Sequence, residues 1–260
     1  MKRERVFVEN RRKEILDKIV STPGIRVEEL AELFGVSAIT IRRDLQFLED
    51  QNLLTRYYGG ASPKNQKHLP EEEDEVQMYR DLIARYAATL VEDGDSLFIN
   101  TSRNALSMVQ YITCKNVTVI TNNGRAIDCE HPVGVNVFLT GGEVRYPKEA
   151  LVGEFAERNL SKVYARKAFV GCSGISNECG VTTENANEVY LNELMLTRAT
   201  KEAYILADHT KIGHNSSFRT CKIERITHLI TDEKAPAEIL DVFREKGIQV
   251  HQVGKEDVKL

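Results

Sequence analysis

The sequence predicts a two-part chain, a small helical module followed by a larger α/β domain built on a largely parallel sheet. Three observations lead there. Apolar residues before position 62 recur with helical spacing, as in Ile15, Leu16 and Ile19, then Val27, Leu30, Ala31 and Phe34, then Ile41, Leu45 and Leu48. Residues 62–75 break that pattern with two prolines, little apolar content and the acidic run Glu71-Glu72-Glu73-Asp74-Glu75. Beyond them, short β-branched runs alternate with helical stretches, the signature of strands joined by helices over a sheet.

The divisions expected are therefore 1–62 for the helical module, 63–75 for a linker and 76–260 for the α/β domain. Acids suit a helix start, so the acidic run reads as the first turn of a solvated helix. The strands expected are 96–100, 117–121, 135–140, 168–171, 203–207, 228–231 and 248–253. Helices are expected near 82–91, 105–112, 188–199 and 236–246.

Composition sets limits. The chain has 260 residues, 42% hydrophobic and 28% charged, with net charge −4. No apolar stretch reaches the length of a membrane span, and Met1-Lys2-Arg3-Glu4-Arg5 leads into no apolar signal core, so a cytoplasmic protein without membrane contact is expected. The five cysteines are scattered without a C-x-x-C pair, which points away from a zinc site or a disulfide framework; no metal and no cofactor are expected. Basic charge is local: Lys2, Arg3, Arg5, Arg11, Arg12 and Lys13 face only Glu4 and Glu9 within residues 2–13.

Residues 27–48 have the grammar of a helix-turn-helix. The first helix stops at Gly35, which can adopt the left-handed conformation that closes a helix, and Ser37 stands as N-cap of the second. With Ile41 as the buried direction, Leu45 and Leu48 fall within about 40° of it at 100° per residue. Ile39, Arg43, Gln46 and, at the flank, Arg42 point outward. Arginine suits guanine edges or phosphate and isoleucine a thymine methyl, so this helix is expected to read a major groove of double-stranded DNA, with Ser37 and Thr40 beside it. Residues 52–61 alternate like a hairpin wing, which would bring Arg56 and Tyr58 near the phosphates.

At this point the residues carry a resemblance. Arg12, Ile15 and Leu16, then Val27, Glu29-Leu30-Ala31, Phe34-Gly35-Val36-Ser37, Thr40-Ile41-Arg42-Arg43-Asp44-Leu45, Leu48-Glu49, Leu53-Leu54, Arg56 and Gly59-Gly60-Ala61 closely resemble the DeoR family of bacterial repressors. The likeness continues through Thr121-Asn122-Asn123, Thr140-Gly141-Gly142-Glu143, residues 169–174, Gly180-Val181-Thr182 and residues 206–213. It implies an N-terminal winged helix-turn-helix, a sensor domain that looks like the ribose-5-phosphate isomerase and CoA-transferase fold, and an effector that is a sugar phosphate or a relative of one.

Ligands of open α/β sheets bind at the carboxyl ends of strands, where these landmarks fall. The expected effector-binding residues are Asn100, Thr101, Ser102, Arg103, Thr121, Asn122, Gly141, Gly142, Gly171, Ser173, Asp208 and Lys211. Glycines let backbone N–H groups approach phosphate oxygens, Lys211 would add a cation, and Asp208 would accept from a sugar hydroxyl or hold the lysine. One stretch departs from the family. Where members show an acid, a small residue and Gly-Thr-Thr, this chain has Asn100-Thr101-Ser102-Arg103-Asn104. Two readings stay open, a drifted loop that binds nothing and a retuned pocket in which Arg103 holds an anion.

An enzyme of this fold would need a carboxylate base, and Asn100 is an amide; Glu184, Glu188 and Asp208 are not marked as an acid–base pair. A purely architectural DNA binder is a third reading. One recognition helix reads few base pairs, so a homo-oligomer on repeated half-sites, a dimer or tetramer, is expected.

Overall fold

Three apolar stripes fold the N-terminal part onto itself. In the computed structural model, which describes residues 2–22, 25–50, 53–57, 60–63, 71–146 and 148–256, they lie on α1 (Lys2–Ser21), α2 (Val27–Phe34) and α3 (Ala38–Asp50). Ile15, Ile19, Val27, Leu30, Ile41, Leu45 and Leu48 meet in one buried core, closed by Leu54 and Ala61. Those last two belong to an antiparallel hairpin of β1 (Leu54–Tyr57) and β2 (Gly60–Pro63). Gly35 ends α2 at φ 61°, and the Val36 amide returns to Ala31 O at 3.1 Å, so the expected left-handed helix stop is present.

The chain divides into two compact units, Met1–Glu75 and Val76–Leu260. The acidic run does start a helix: α4 spans Glu71–Thr89, well ahead of the expected 82. The 63–75 linker is thereby shortened at both ends, since Pro63 belongs to β2 and Glu71–Glu75 to α4.

In the second unit all seven expected strands form one sheet. They are β3 (Ser96–Ile99), β4 (Val117–Thr121), β5 (Val135–Leu139), β8 (Ala165–Gly171), β11 (Ala199–Leu206), β13 (His228–Asp232) and β14 (Gln249–Val253), in the order β14-β13-β11-β8-β3-β4-β5 and parallel throughout. Period-two alternation sends Leu97 and Ile99 to one face and Phe98 to the other. The first face packs on α4 and on α5 (Arg103–Ser107), the second on α6 (Glu154–Leu160), α7 (Val189–Thr197) and α8 (Ala237–Glu245). The helix expected over 105–112 is broken, with α5 giving way to a tighter 3-10 turn at Met108–Tyr111.

Sequence patterning did not mark two excursions from the sheet. After β5 the chain makes a hairpin of β6 (Glu143–Arg145) and β7 (Ala150–Val152) before α6. A three-stranded antiparallel patch, ordered β12-β10-β9, is built from β9 (Gly174–Ser176), β10 (Gly180–Thr183) and β12 (Phe218–Cys221). No described helix is long and apolar enough to cross a membrane.

Candidate functional site

In the first unit, the Ser37 hydroxyl accepts the Thr40 amide at 3.2 Å and lies 2.9 Å from the Thr40 hydroxyl, capping α3. These two side chains thus start the helix as well as flank its face. Ile39 is 62% exposed and Arg42 and Arg43 are exposed, as the helical wheel requires, whereas Gln46, expected to point outward, is half-buried. Arg42 reaches Glu28 on α2 at 3.5 Å, an exposed ion pair weak enough for DNA phosphate to replace. Arg56 lies on β1, but its side chain and all of Tyr58 lie outside the described residues.

One buried charge on the same helix was hidden in the sequence. Asp44, on the side of α3 opposite the exposed arginines, is only 2% exposed and accepts from Arg11 Nε at 2.7 Å and Arg12 Nε at 2.8 Å. Arg12 also lies over the Phe47 ring, 3.8 Å from its centroid. Two of the six basic residues read as local positive charge therefore join α1 to α3.

In the second unit the carboxyl ends of β3, β4, β5, β8 and β11, and the segments leaving them, hold the residues expected to bind effector. The strand order reverses between β3 and β8, the place where open α/β sheets form a crevice. Asn100 spans it. Its amide donates to Gly171 O at 2.9 Å and Asn192 Oδ1 at 3.1 Å, while its Oδ1 accepts the amides of Gly171 at 3.0 Å and Ser102 at 3.2 Å. The Asn100 amide thus ties two strand ends, and all its hydrogen-bonding capacity is used within the fold.

Three glycines near these strand ends are packed tightly by the protein itself. A Cβ on Gly171 would lie 2.1 Å from Ser102 Oγ, and one on Gly142 would lie 2.6 Å from Val152 O. At Gly174 it would meet His214 O at 2.4 Å. Close approach is required at each, but by protein atoms. Gly141 and Gly142 have φ 69° and 115°, so both turn the chain from β5 toward β6.

The remaining residues fall into two groups. Thr101 and Thr121 are buried, Ser102 caps α5 by accepting the Ala105 amide at 3.3 Å, and Arg103 is exposed as the first residue of α5. The Thr121 hydroxyl accepts the Asn123 amide at 3.1 Å, and Ser173 Oγ accepts the Glu184 amide at 3.2 Å. Three buried side-chain atoms of this region have no hydrogen-bond partner among the described residues: Asn104 Oδ1, Asn122 Oδ1 and Asn123 Nδ2. Asn104 lies in the first turn of α5, and Asn122 and Asn123 follow β4, the strand paired with β3. Two acceptors and one donor left unsatisfied suit a group that both gives and takes hydrogen bonds.

The second group centres on Asp208, which is buried at the end of β11. Its Oδ1 accepts the Thr210 amide at 3.0 Å and the Thr210 hydroxyl, and its Oδ2 accepts Arg80 Nε at 2.8 Å. Asp208 therefore holds Arg80 of α4; it is not within ion-pairing distance of Lys211, correcting the expectation that it would hold the lysine. Burial opposes the charge on Asp208, but the Arg80 cation, the Thr210 hydroxyl and nearby Lys211 outweigh it and hold the carboxyl below its ordinary range. On the same helix turn Tyr79 donates to Glu233 at 2.9 Å and meets the edge of His209, whose Nδ1 is 2.8 Å from Asp232. Arg80 carried no sequence signal, because its partner lies 128 positions away.

Glu188, a candidate base, is buried against Lys148 at 3.7 Å and Asn185 at 3.0 Å. Cys172 and Cys221 are pushed up to about 12 by burial, which leaves them as neutral thiols. All five cysteines are free, and no group of three His, Cys, Asp or Glu is gathered for a metal among the described residues.

Comparison with known proteins gives concordant findings. The model of the DeoR-like helix-turn-helix domain matches residues 11–67, and that of the DeoR C-terminal sensor domain matches residues 76–233. The lactose phosphotransferase system repressor of Staphylococcus aureus is 33% identical over 83% of this chain and 88% of its own length. The HTH-type transcriptional repressor GlcR of Bacillus subtilis is 30% identical over 94% and 96%, and the uncharacterized HTH-type transcriptional regulator YulB of the same organism 29% over 95% and 98%. Among solved structures, ribose 5-phosphate isomerase A of Methanocaldococcus jannaschii aligns with 52% of this chain and 54% of its own at 14% identity, with a TM-score of 0.38.

Proposed function

Given that the chain belongs to the DeoR family of DNA-binding transcriptional regulators, we propose that it represses a carbohydrate-metabolism operon and leaves its operator when a small phosphorylated metabolite binds the sensor domain. The observation that carries the DNA half is the solvent face of α3, where Ile39, Arg42 and Arg43 stand clear of the core. The carbohydrate assignment is supported by relatives named as repressors of a lactose phosphotransferase system and, in Escherichia coli O157:H7, of an aga operon.

Effector binding falls at the carboxyl edge of the sheet. Ser102, Arg103, Asn122, Ser173 and Lys211 remain candidates to contact it, with Asn104 and Asn123 added by their unsatisfied amides. Such amides match the hydroxyls of a sugar. Asn100 and Gly171 take a supporting part, as the tie beneath the pocket. The chain is read as a regulator and not an enzyme. Asn100 is an amide, while Glu188 and Asp208 are each held by a cation, an arrangement that supports no paired acid and base. Assembly as a homo-oligomer on repeated half-sites completes the proposal.

The test is selection of duplexes from a random pool by the full-length protein, followed by challenge with sugar phosphates, sugar acids and neutral sugars. Release by a phosphorylated sugar and not by its neutral parent is the expected result. Failure to enrich any sequence, or turnover of a sugar phosphate at an enzymatic rate, would overturn the reading.

A further inference from the structure

The large sheet ends in two unlike edges. On one side β14 carries Gln249, His251 and Gln252; His251 is bonded to Tyr86 and His228, and Gln252 to Arg244. Polar side chains already engaged in this way discourage pairing with another chain. On the other side β5 reads Val135-Asn136-Val137-Phe138-Leu139, with no charge, no proline and an unbroken register. Toward β4, the Val117 amide donates to Gly134 O at 3.0 Å and the Thr140 amide to Thr121 O at 3.0 Å. Even-numbered residues therefore turn their backbone groups inward. By period-two alternation those of Val137 and Leu139 point out of the sheet, where no strand lies among the described residues. The side chains around this edge are apolar as well. Ile127 and Val133 flank β5 and are exposed, Phe138 is 57% exposed, and Leu139 is exposed at the strand end. Asn159 of α6 donates to Thr140 O at 2.9 Å, so Phe155, one turn earlier on the same side of that helix, stands beside the strand end and is 76% exposed.

We propose that a second copy of this chain covers this edge, β5 pairing antiparallel with its own counterpart across a two-fold axis at Val137, so that the two seven-stranded sheets run on into one another. This rests on the homo-oligomer reading above and names its interface. In that register Val137 faces itself and Val135 faces Leu139 of the partner subunit. Because Val137 turns both backbone groups outward, the two copies exchange a pair of N–H···O bonds there, and each Leu139 amide donates to the carbonyl of Val135 of the partner subunit. The side chains agree with the backbone. Val135, Val137 and Leu139 share one face of the sheet, that of α4 and α5, and meet their like across the axis. On the other face the two Phe138 rings lie diagonally across it, within reach of each other. Neutrality selects the occupant, since an uncharged apolar edge matches one of the same character. The sheet's other edge is polar, so head-to-tail growth is disfavoured, while β5 on β5 closes after two copies. With its flanking side chains the edge supplies a large part of the roughly 800 Å² that each partner of a stable dimer buries.

The experiment follows the mass of the full-length protein by sedimentation velocity, without DNA, beside hydrogen exchange over residues 134–140. Wild type should sediment as a dimer or a multiple of one, with slow exchange at Val137 and Leu139. Phe138→Glu sets two like charges across the axis at a position open to solvent in a single copy. It should weaken association by roughly 30-fold or more, the loss of one buried aromatic anchor, halving the mass and speeding exchange at both amides. Val137→Pro removes an outward N–H and no bond to β4, a change that a free edge tolerates, and it should halve the mass too. Tyr164→Glu alters an exposed ring just ahead of β8, three strands away, and should leave the mass unchanged. The interface is overturned by unchanged mass in Phe138→Glu or in a folded Val137→Pro, by fast exchange at Val137 and Leu139 in an associated wild type, or by equal dissociation in Tyr164→Glu. An oligomer that survives the β5 changes leaves the homo-oligomer reading standing on another surface, whereas a wild type that stays monomeric overturns both.

Discussion

Asp44→Asn probes how the first unit holds its recognition helix. Each carboxylate oxygen of Asp44 accepts one guanidinium Nε from α1, at 2.7 Å and 2.8 Å, in a site only 2% exposed. The amide removes the charge from both pairs and turns an N–H group toward one arginine. Breaking a buried pair by removing one partner costs about 3–5 kcal/mol. Here Arg11 and Arg12 are 14% and 23% exposed and recover part of their hydration, and one amide oxygen still accepts. The expected loss is therefore nearer ~2 kcal/mol. At about 4–8 °C per kcal/mol for a unit of this size, its melting midpoint should fall by about 8–16 °C. Scanning calorimetry of the full chain, with hydrogen exchange over residues 10–50 to assign the transition, measures this directly. A shift below about 3 °C, or an equal fall in the second unit, would refute the clamp.

Other outcomes follow from the same geometry. Arg42→Ala and Arg43→Ala should each cost about 1–3 kcal/mol in affinity for a selected duplex while leaving the melting curve unchanged, because both side chains are exposed; electrophoretic mobility shift assays decide it. Asn100→Asp sets a carboxylate against Gly171 O and Asn192 Oδ1, so it should destabilise the second unit by about 2 kcal/mol near neutrality. That acid would have a raised folded pKa, so the penalty should grow as pH rises above about 4 and be smallest below it, as urea titrations at several pH values would reveal. Burial lowers His228 and His251 from their ordinary 6.5, with His251 adding to the effect on His228. Stability of the second unit should thus be full above that value and decline as pH falls below it, and His251→Gln should flatten the decline in thermal melts.

Much of this architecture was legible because it is repetitive. Strands such as Val117–Thr121 are β-branched runs, and α3 carries its apolar residues at helical spacing around Ile41. Strands β6, β7 and β9 were not legible, since three residues are too few for a period to register. The glycines after β5 and β8 were marked correctly as points of close approach, but a sequence does not say what approaches. Ser102 fills the space above Gly171, and that is a fact of tertiary packing. Asp44 and Arg80 were missed for a common reason. A charged residue on a helix reads as solvated, and only its distant partners, Arg11 and Arg12 for the first and Asp208 for the second, reveal otherwise.

The order of strands across the large sheet also governs how the chain must fold as it is made. The strand β3 is the first of the seven to be synthesised, yet it lies near the middle, between β4 and β8. One flank can be covered early, since β4 and β5 follow it closely. The other stays open until Lys167 arrives to pair with Leu97, 70 residues later, and β11, β13 and β14 can add only after that. Parallel pairing across such separations is slow, and an uncovered apolar strand edge in the interval invites association with other chains. The first unit, by contrast, closes through contacts within its own 75 residues. Its recognition helix should therefore be in place on the ribosome while the sensor is still half-made, so that the slow step in producing a regulated repressor is the arrival of β8.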